Sequence, residues 1–439
     1  MTAGFQVSDG PLLLQARQVL TMVPRSDAIR NPPPKGDLNA LRDRDADIVG
    51  LRENAVVHVE GGRIRSIGPM GDVAKKVRNR ATVVECGVVV PGFIDCHTHT
   101  VFAGSRHDEF TLRNLGADYL DILEAGGGIH STVEATRAAK KRTLAATLVQ
   151  RCYEATRRGI TTMEVKSGYG LALDHELKQL RAIEMARPEV LVDLESTFLG
   201  AHVVPTSHTD RREDYIASVI DEMIPKVAEL GLARFVDVFC DKGAFDSDEA
   251  RRILRAGMDH GMIPRLHADE LTHAGAAELA AELGAASADH LEYVSDAAVA
   301  AMAAAGTVAV LLPGVNLFLG LERYAPARAL LSGGVDVALA TDFNPGTSPT
   351  QDLGLILTLA CTGYGMTPGE ALLGVTASAA RALRLEDRGT LAVGKRADVT
   401  VLGVDDYWQL PYLAGRSHVE GVIRAGELVY WVSGDEIEA

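Results

Sequence analysis

Eight short apolar runs, each followed by a stretch rich in Ala, Leu, Glu and Arg, alternate through the middle of the chain. β-textured segments stand at both ends. Together these predict an α/β fold, a (β/α)8 TIM-type barrel with a small β-sandwich domain formed by both chain ends. Length agrees, since 439 residues exceed the roughly 250 that one barrel takes by itself. Apolar residues make up 47%, ordinary for a packed globule and too many for a disordered chain. The expected division is residues 1–90 and 386–439 for the composite β domain and 91–385 for the barrel.

The first β texture runs through LLLQARQVLTMV, AVVHVEGGRIRSIGP and ATVVECGVVV, with a turn signal at Glu60-Gly61-Gly62. Between the first two lies PRSDAIRNPPPKGDLNALRDRDAD, polar and Pro-rich, read as a mobile surface loop. The barrel strands are then VVVPGFIDCHTH, TTMEVKSG, LVDLESTFLGAH, RFVDVFCD, IPRLHADE, ASADHLEY, TVAVLLPG and DVALATD. DAAVAAMAAAG and PARALLSGG are examples of the helical stretches between them. β texture returns in GTLAVGKRADVTVLG and HVEGVIRAGELVYWV. The simplest account inserts the barrel into the small domain, and no repeat of fixed period is present.

The formal charge of −15 argues against nucleic acid or an anionic membrane as partner, because both want a basic face. No apolar run reaches the roughly 18–20 residues of a membrane helix. MTAGFQVSDG has neither the basic nor the apolar part of a signal peptide, so a cytoplasmic protein is expected. The five cysteines, Cys86, Cys96, Cys152, Cys240 and Cys361, are scattered and form no CxxC. They indicate neither a disulfide framework nor a cysteine zinc site.

A barrel concentrates its chemistry at the C-terminal ends of its strands. Five of the thirteen histidines fall there: His97 and His99, His202, His267 and His290. Asp342 ends the eighth strand and Glu270 follows the fifth. In a strand, residues i and i+2 share a face, so His97 and His99 can point at one ion. Neutral imidazole ligates zinc well and a carboxylate adds charge. His97, His99, His267 and Asp342 therefore make a His3Asp metal site. A lone HxH is better read as two ordinary turn histidines; the other strand ends tip the balance toward a metal site. Glu270, in HxxE, can move a proton from an attacking water to a leaving nitrogen, or simply favour the next helix's first turn. His290 is a fourth ligand or, preferably, a group that supports a developing oxyanion. Lys166 sits on the second strand, and a two-metal site bridged by a carbamylated lysine is not favoured.

At PGFIDCHTHTVFAGSR the sequence resembles the amidohydrolase superfamily, metal-dependent hydrolases with a barrel and a small β domain built from both ends. That resemblance implies the same strand-end ligands. In the superfamily a bridging lysine comes from strand four, and its absence here implies one metal ion. GGGIHSTVEATR, EVKSGYGL, FLGAHVVP, DVFCDKGAF, RLHADE, ADHLEY, LLPG and ATDFNPGTSP are similar to the branch that opens an imidazolone ring bearing a propanoate tail. The similarity spans about 91 to 350, and the flanking β segments fit it too.

The branch implies that Arg106 holds the propanoate, because guanidinium suits bidentate carboxylate binding. It implies that Tyr169, His202 and Glu270 bind substrate polar groups, and that Asn344, Gly346 and Thr347 line the product end. Tyr119 is a weaker candidate. The catalytic set is then Glu270, His290 and Asp342. Each has a plainer reading. Arg106 can pair with Asp108 or Glu109, Tyr169 can pack in a turn, and Gly346 and Gly126 to Gly128 can serve only backbone freedom. The cofactor expected is one divalent ion, zinc or else iron, and the expected assembly is a homodimer.

Two other functions compete. The same site could deaminate a guanine- or cytosine-like ring, for which a propanoate-binding Arg106 has no use. A non-catalytic scaffold would be marked by lost ligands, whereas every expected ligand is present.

Overall fold

The computed structural model describes residues 10–117 and 127–432. Tyr119 and Gly126 lie outside the described residues. Eight parallel strands follow the order β5 to β12: β5 Phe93–Asp95, β6 Ile160–Lys166, β7 Asp193–Ala201, β8 Phe235–Cys240, β9 Ile263–Ala268, β10 Ser287–His290, β11 Val308–Leu311 and β12 Val337–Leu339. Each lies within one of the eight expected runs except β6, which starts one residue earlier at Ile160. The ring closes beyond the strand ends, where the Asp342 amide donates to His97 O at 3.0 Å and the His99 amide to Phe343 O at 3.0 Å. That closure places the HxH segment beside Asp342, although 245 residues separate His97 from Asp342.

The remaining strands are β1 Leu12–Leu20, β2 Leu51–Glu60, β3 Arg63–Gly68, β4 Thr82–Pro91, β13 Val399–Leu402, β14 Val419–Arg424 and β15 Glu427–Trp431. They form one sheet in the order β15-β14-β13-β4-β1-β2-β3, so both chain ends build it. The expected sandwich is realised as this continuous sheet, antiparallel except for β1 beside β4. Leu14, Val57, Ile64, Val89 and Val399 pack together in its main core, and Leu13 and Val56 pack on Val73 and Val77. The β2–β3 hairpin turns at Gly61 and Gly62, whose φ of 62° and 72° suit residues without Cβ.

The Pro-rich segment differs from the expected mobile loop. It carries a helix, Leu38–Val49, capped by Asp37, whose side chain accepts from the Ala40 amide, and ended by Gly50 in the left-handed region. Asp45 is fully buried and accepts from Thr367 Oγ1 at 2.6 Å and the Gly369 amide at 3.0 Å. Arg44 pairs with Glu370 at 2.6 Å. Tertiary contacts with the helix Pro368–Leu373 therefore order a stretch whose composition suggests a loop. Among the described residues, no helix is long and apolar enough to cross a membrane.

Candidate functional site

His97 and His99 follow β5, His267 lies in β9, His290 ends β10, and Asp342 follows β12. All five are buried, with at most 3% of their surface exposed. The His97–His267, His99–His267 and His97–His99 ring centroids are 4.6, 5.3 and 5.4 Å apart. Asp342 Oδ1 lies 3.4 Å from His97 Nε2 and 3.3 Å from His99 Nε2, and the Nε2 atoms of His99 and His267 are 3.3 Å apart.

Tautomers follow from the carboxylates beneath. His97 Nδ1 donates to Asp289 at 2.6 Å and His267 Nδ1 to Asp237 at 3.1 Å. Each is thereby left with a lone pair on Nε2. Burial, reinforced by neighbouring cationic groups, holds the His97 and His99 pKa values well below the usual imidazole range, so both are neutral. His97 Nε2 and Asp342 Oδ1 are buried without a hydrogen-bond partner. Converging lone pairs and one carboxylate, with no donor among them, fit a cation. His97, His99 and Asp342 form one such group and His97, His267 and His290 another, each with ligand atoms within 4.8 Å. Either fourth donor is in reach; Asp342 bridges both HxH nitrogens and carries the charge.

Glu270 stands beside His290, with Oε2 3.6 Å from His290 Nε2. Burial, with Asp342 and Asp241 adding to it, pushes the Glu270 carboxyl up to about 8. Burial pushes His290 down to about 3, against the pull of Asp342. A carboxyl that titrates near neutrality beside a neutral imidazole can exchange protons with a substrate. His290, Leu291 and Asp342 hold φ of 80°, 73° and 49°. Such angles cost non-glycine residues about 1–3 kcal/mol each and gather at working sites.

Tyr169 and His202 flank the cluster. His202 stacks on His99 with centroids 5.1 Å apart and donates Nδ1 to Gly168 O at 3.0 Å. The Tyr169 ring lies 6.0 Å from His99 and 6.3 Å from Phe102. Glu176, missed in the sequence, anchors this turn by accepting from the amides of Gly168, Gly170 and Leu171 at 2.7–3.0 Å.

Beyond Phe102 opens a cavity of about 390 Å3, lined by Arg106, Arg113, Arg151, Phe343, Asn344 and Gly346 among others. Arg106 is held bidentately by Glu109, at 2.8–2.9 Å, so the plainer reading of that arginine is partly right. The pair is not a surface one, however; the two side chains are 13% and 8% exposed. Nε and Nη2 face Glu109, which leaves Nη1 toward Gly346, where a Cβ would overlap the guanidinium. Glycine is needed there for close approach rather than for backbone freedom. Despite burial, Arg106 and the Gly128 amide hold Glu109 below the usual carboxylate range.

Asn344 is committed within its own loop. Its Nδ2 donates to Asp342 O, Asp342 Oδ2 and Thr347 Oγ1, and its Oδ1 accepts from the amides of Gly346 and Thr347. It thereby fixes the Asp342 carboxylate. Arg113, also missed, donates to Gly346 O at 2.9 Å. Lys166 is not placed to bridge two ions, because Glu164 and Asp237 hold its ammonium at 2.9 and 2.8 Å.

The model of the amidohydrolase family matches residues 88–429. The chain is 45% identical to an imidazolonepropionase of Geobacillus kaustophilus over 426 residues, 95% of this chain and 98% of the relative. It is 48% identical to an imidazolonepropionase of Myxococcus xanthus over 390 residues, 88% and 93% of the two chains. The crystal structure of a triazine hydrolase variant superposes with a TM-score of 0.71 at 16% identity, covering 98% of each chain, which speaks for the fold alone.

Proposed function

Because the chain belongs to the amidohydrolase family, and by its relatives to the imidazolonepropionases within it, we propose that the clustered strand-end residues hydrolyse an imidazolone ring. The enzyme is a hydrolase of cyclic amides and opens 4-imidazolone-5-propanoate to N-formimidoyl-L-glutamate in histidine degradation. The observation that carries the site assignment is the arginine-lined mouth beside the histidine and aspartate cluster. In a chain of net charge −15, three arginines at one cavity suit an anionic substrate.

His97, His99, His267 and Asp342 would hold one divalent ion, zinc in preference to iron. Imidazole and carboxylate accept both, and a chelate-and-restore series with each metal separates them. Such an ion supplies Lewis acidity to water and to a carbonyl. Arg106 takes the propanoate and fixes the ring's orientation; Tyr169 and His202 bracket the ring. Glu270 accepts a proton from the attacking water and returns it to the departing ring nitrogen. His290 donates a hydrogen bond to the developing oxyanion. Asn344, Gly346 and Thr347 shape the product end, and Asn344 also steadies Asp342.

The test is loss of the substrate's ultraviolet absorbance, with substrate generated in situ and the chelated and metal-restored proteins run in parallel. Metal-dependent formation of formimidoylglutamate is expected. A correctly metallated protein without turnover would refute the reading. We also place the enzyme in the cytoplasm, to be checked by fractionation. We further propose a homodimer, to be checked by light scattering.

A further inference from the structure

Beneath the histidines lies a layer of five charged side chains that the proposed reaction does not use. Lys166, Arg265, Glu164, Asp237 and Asp289 are each at most 1% exposed. Lys166 Nζ lies 2.8 Å from Asp237 Oδ2, and Asp237 Oδ1 accepts from His267 Nδ1 at 3.1 Å and from the His267 amide at 3.2 Å. Arg265 Nη2 donates at 3.0 Å to Asp289 Oδ2, which also accepts from His97 Nδ1 at 2.6 Å. Two histidines thus each rest on a carboxylate that rests on a cation. Glu164 joins the two chains. It accepts from Lys166 at 2.9 Å and approaches Arg265 at 3.8 Å, and it accepts the Thr98 amide, between His97 and His99, at 3.0 Å.

Stability does not explain this layer. Burying an ion costs several times what a typical hydrogen bond returns, and well-packed apolar side chains in place of a buried ion network are often equally or more stable. The side chains do something an apolar plug cannot, which is to fix the tautomer and direction of two imidazoles. Three carboxylates against two cations also leave the layer formally with one negative charge under a cation site.

We propose that Lys166 and Arg265 are positioning residues for the metal, acting through Asp237 on His267 and through Asp289 on His97. This rests on the metal assignment of the proposed function. Removing either cation frees its carboxylate to turn, and the imidazole loses its fixed direction. Outer partners of metal ligands typically change affinity by about 10–100-fold.

The experiment measures Zn2+ affinity by competition with a chromophoric chelator on the full chain. It compares the parent, Lys166→Met, Arg265→Met, Asp237→Asn and Lys166→Met/Asp237→Asn, with circular dichroism of each metal-free protein. A roughly 10–100-fold loss in Lys166→Met and in Arg265→Met, with folded metal-free proteins, is expected. The loss from Lys166→Met should vanish in the Asp237→Asn background, because the proposed path from Lys166 to His267 runs through Asp237. Folded Lys166→Met with parental affinity overturns the relay, as does a loss that adds undiminished to that of Asp237→Asn. Should Lys166→Met alone not fold, the neutral pair against Asp237→Asn decides: equal affinity supports the relay and weaker affinity overturns it. A parent that binds no Zn2+ overturns the metal site itself, a result separate from a parent that binds beside indifferent variants.

Discussion

At the scale of single residues, Glu270 and Arg106 divide the proposed work between proton and carboxylate. Glu270→Gln keeps the shape and removes the base. Turnover should fall by about 100- to 10,000-fold, with metal content by elemental analysis equal to the parent's. Arg106→Met removes charge-assisted hydrogen bonds worth about 1.5–3 kcal/mol. The expectation is a KM raised by about 10–100-fold, with a much smaller change in kcat. The HxH pair, HxxE and the strand-end Asp342 were legible in the sequence because two periodicities fix where such side chains point. Glu109 was legible as a partner of Arg106, but Arg113 was not, because its role depends on a loop that returns from the eighth strand 233 residues later to bring Gly346 O to it. Arg265 carried a usable signal: it stands two residues before His267 on one strand, and so faces the same barrel interior.

At the scale of elements, the loop after β12 and the helix Leu38–Val49 make separate demands. Gly346→Ala would force a methyl against the Arg106 guanidinium. The guanidinium must shift to make room, so a raised KM in steady-state kinetics is expected, and overpacking of about 1–3 kcal/mol should lower Tm by a few degrees. On the helix, Asp45 is pushed up to about 6, chiefly by burial, against the hydrogen bonds of Thr367 and Gly369. The folded state therefore holds this proton more tightly than the unfolded one. Its contribution is fully present below the unfolded carboxylate range and is lost as pH rises through about 6. Between pH 5 and 7 the parent should lose about 1 kcal/mol that Asp45→Asn does not. Thermal unfolding of both proteins at the two pH values would show it, and a constant difference in Tm would contradict it. The segment was misread because charge and proline hide its helical face: Arg44 and Asp45 are buried by ion pairing and capping, which hydrophobic periodicity does not register.

At the scale of the whole molecule, the ion and the barrel's closure are one problem. His97 and His99 come just after the first barrel strand and Asp342 just after the last, so a metal held between them ties the two ends of the barrel together. Binding only to the folded state adds about 4 kcal/mol at a thousandfold excess over Kd. Chelation should lower Tm, and restoring the metal should return it. A Tm unmoved by complete demetallation would place the ligands elsewhere. On its opposite side, the barrel meets the terminal sheet through Asp193, which pairs with Arg388, Arg396 and Arg424.

By itself the sequence determined the architecture and the type of chemistry. Eight alternating runs specify a barrel, and ionisable side chains at buried strand ends are too costly to be there without a partner. The tertiary structure alone decided what those groups rest on. Tautomers come from Asp237 and Asp289, the presentation of Arg106 from Glu109 and Gly346, and the order of residues 38–49 from Thr367 and Glu370. Periodicity reports which face a side chain takes along its own element. It is silent on which residue, hundreds of positions away, closure of the barrel sets against that face.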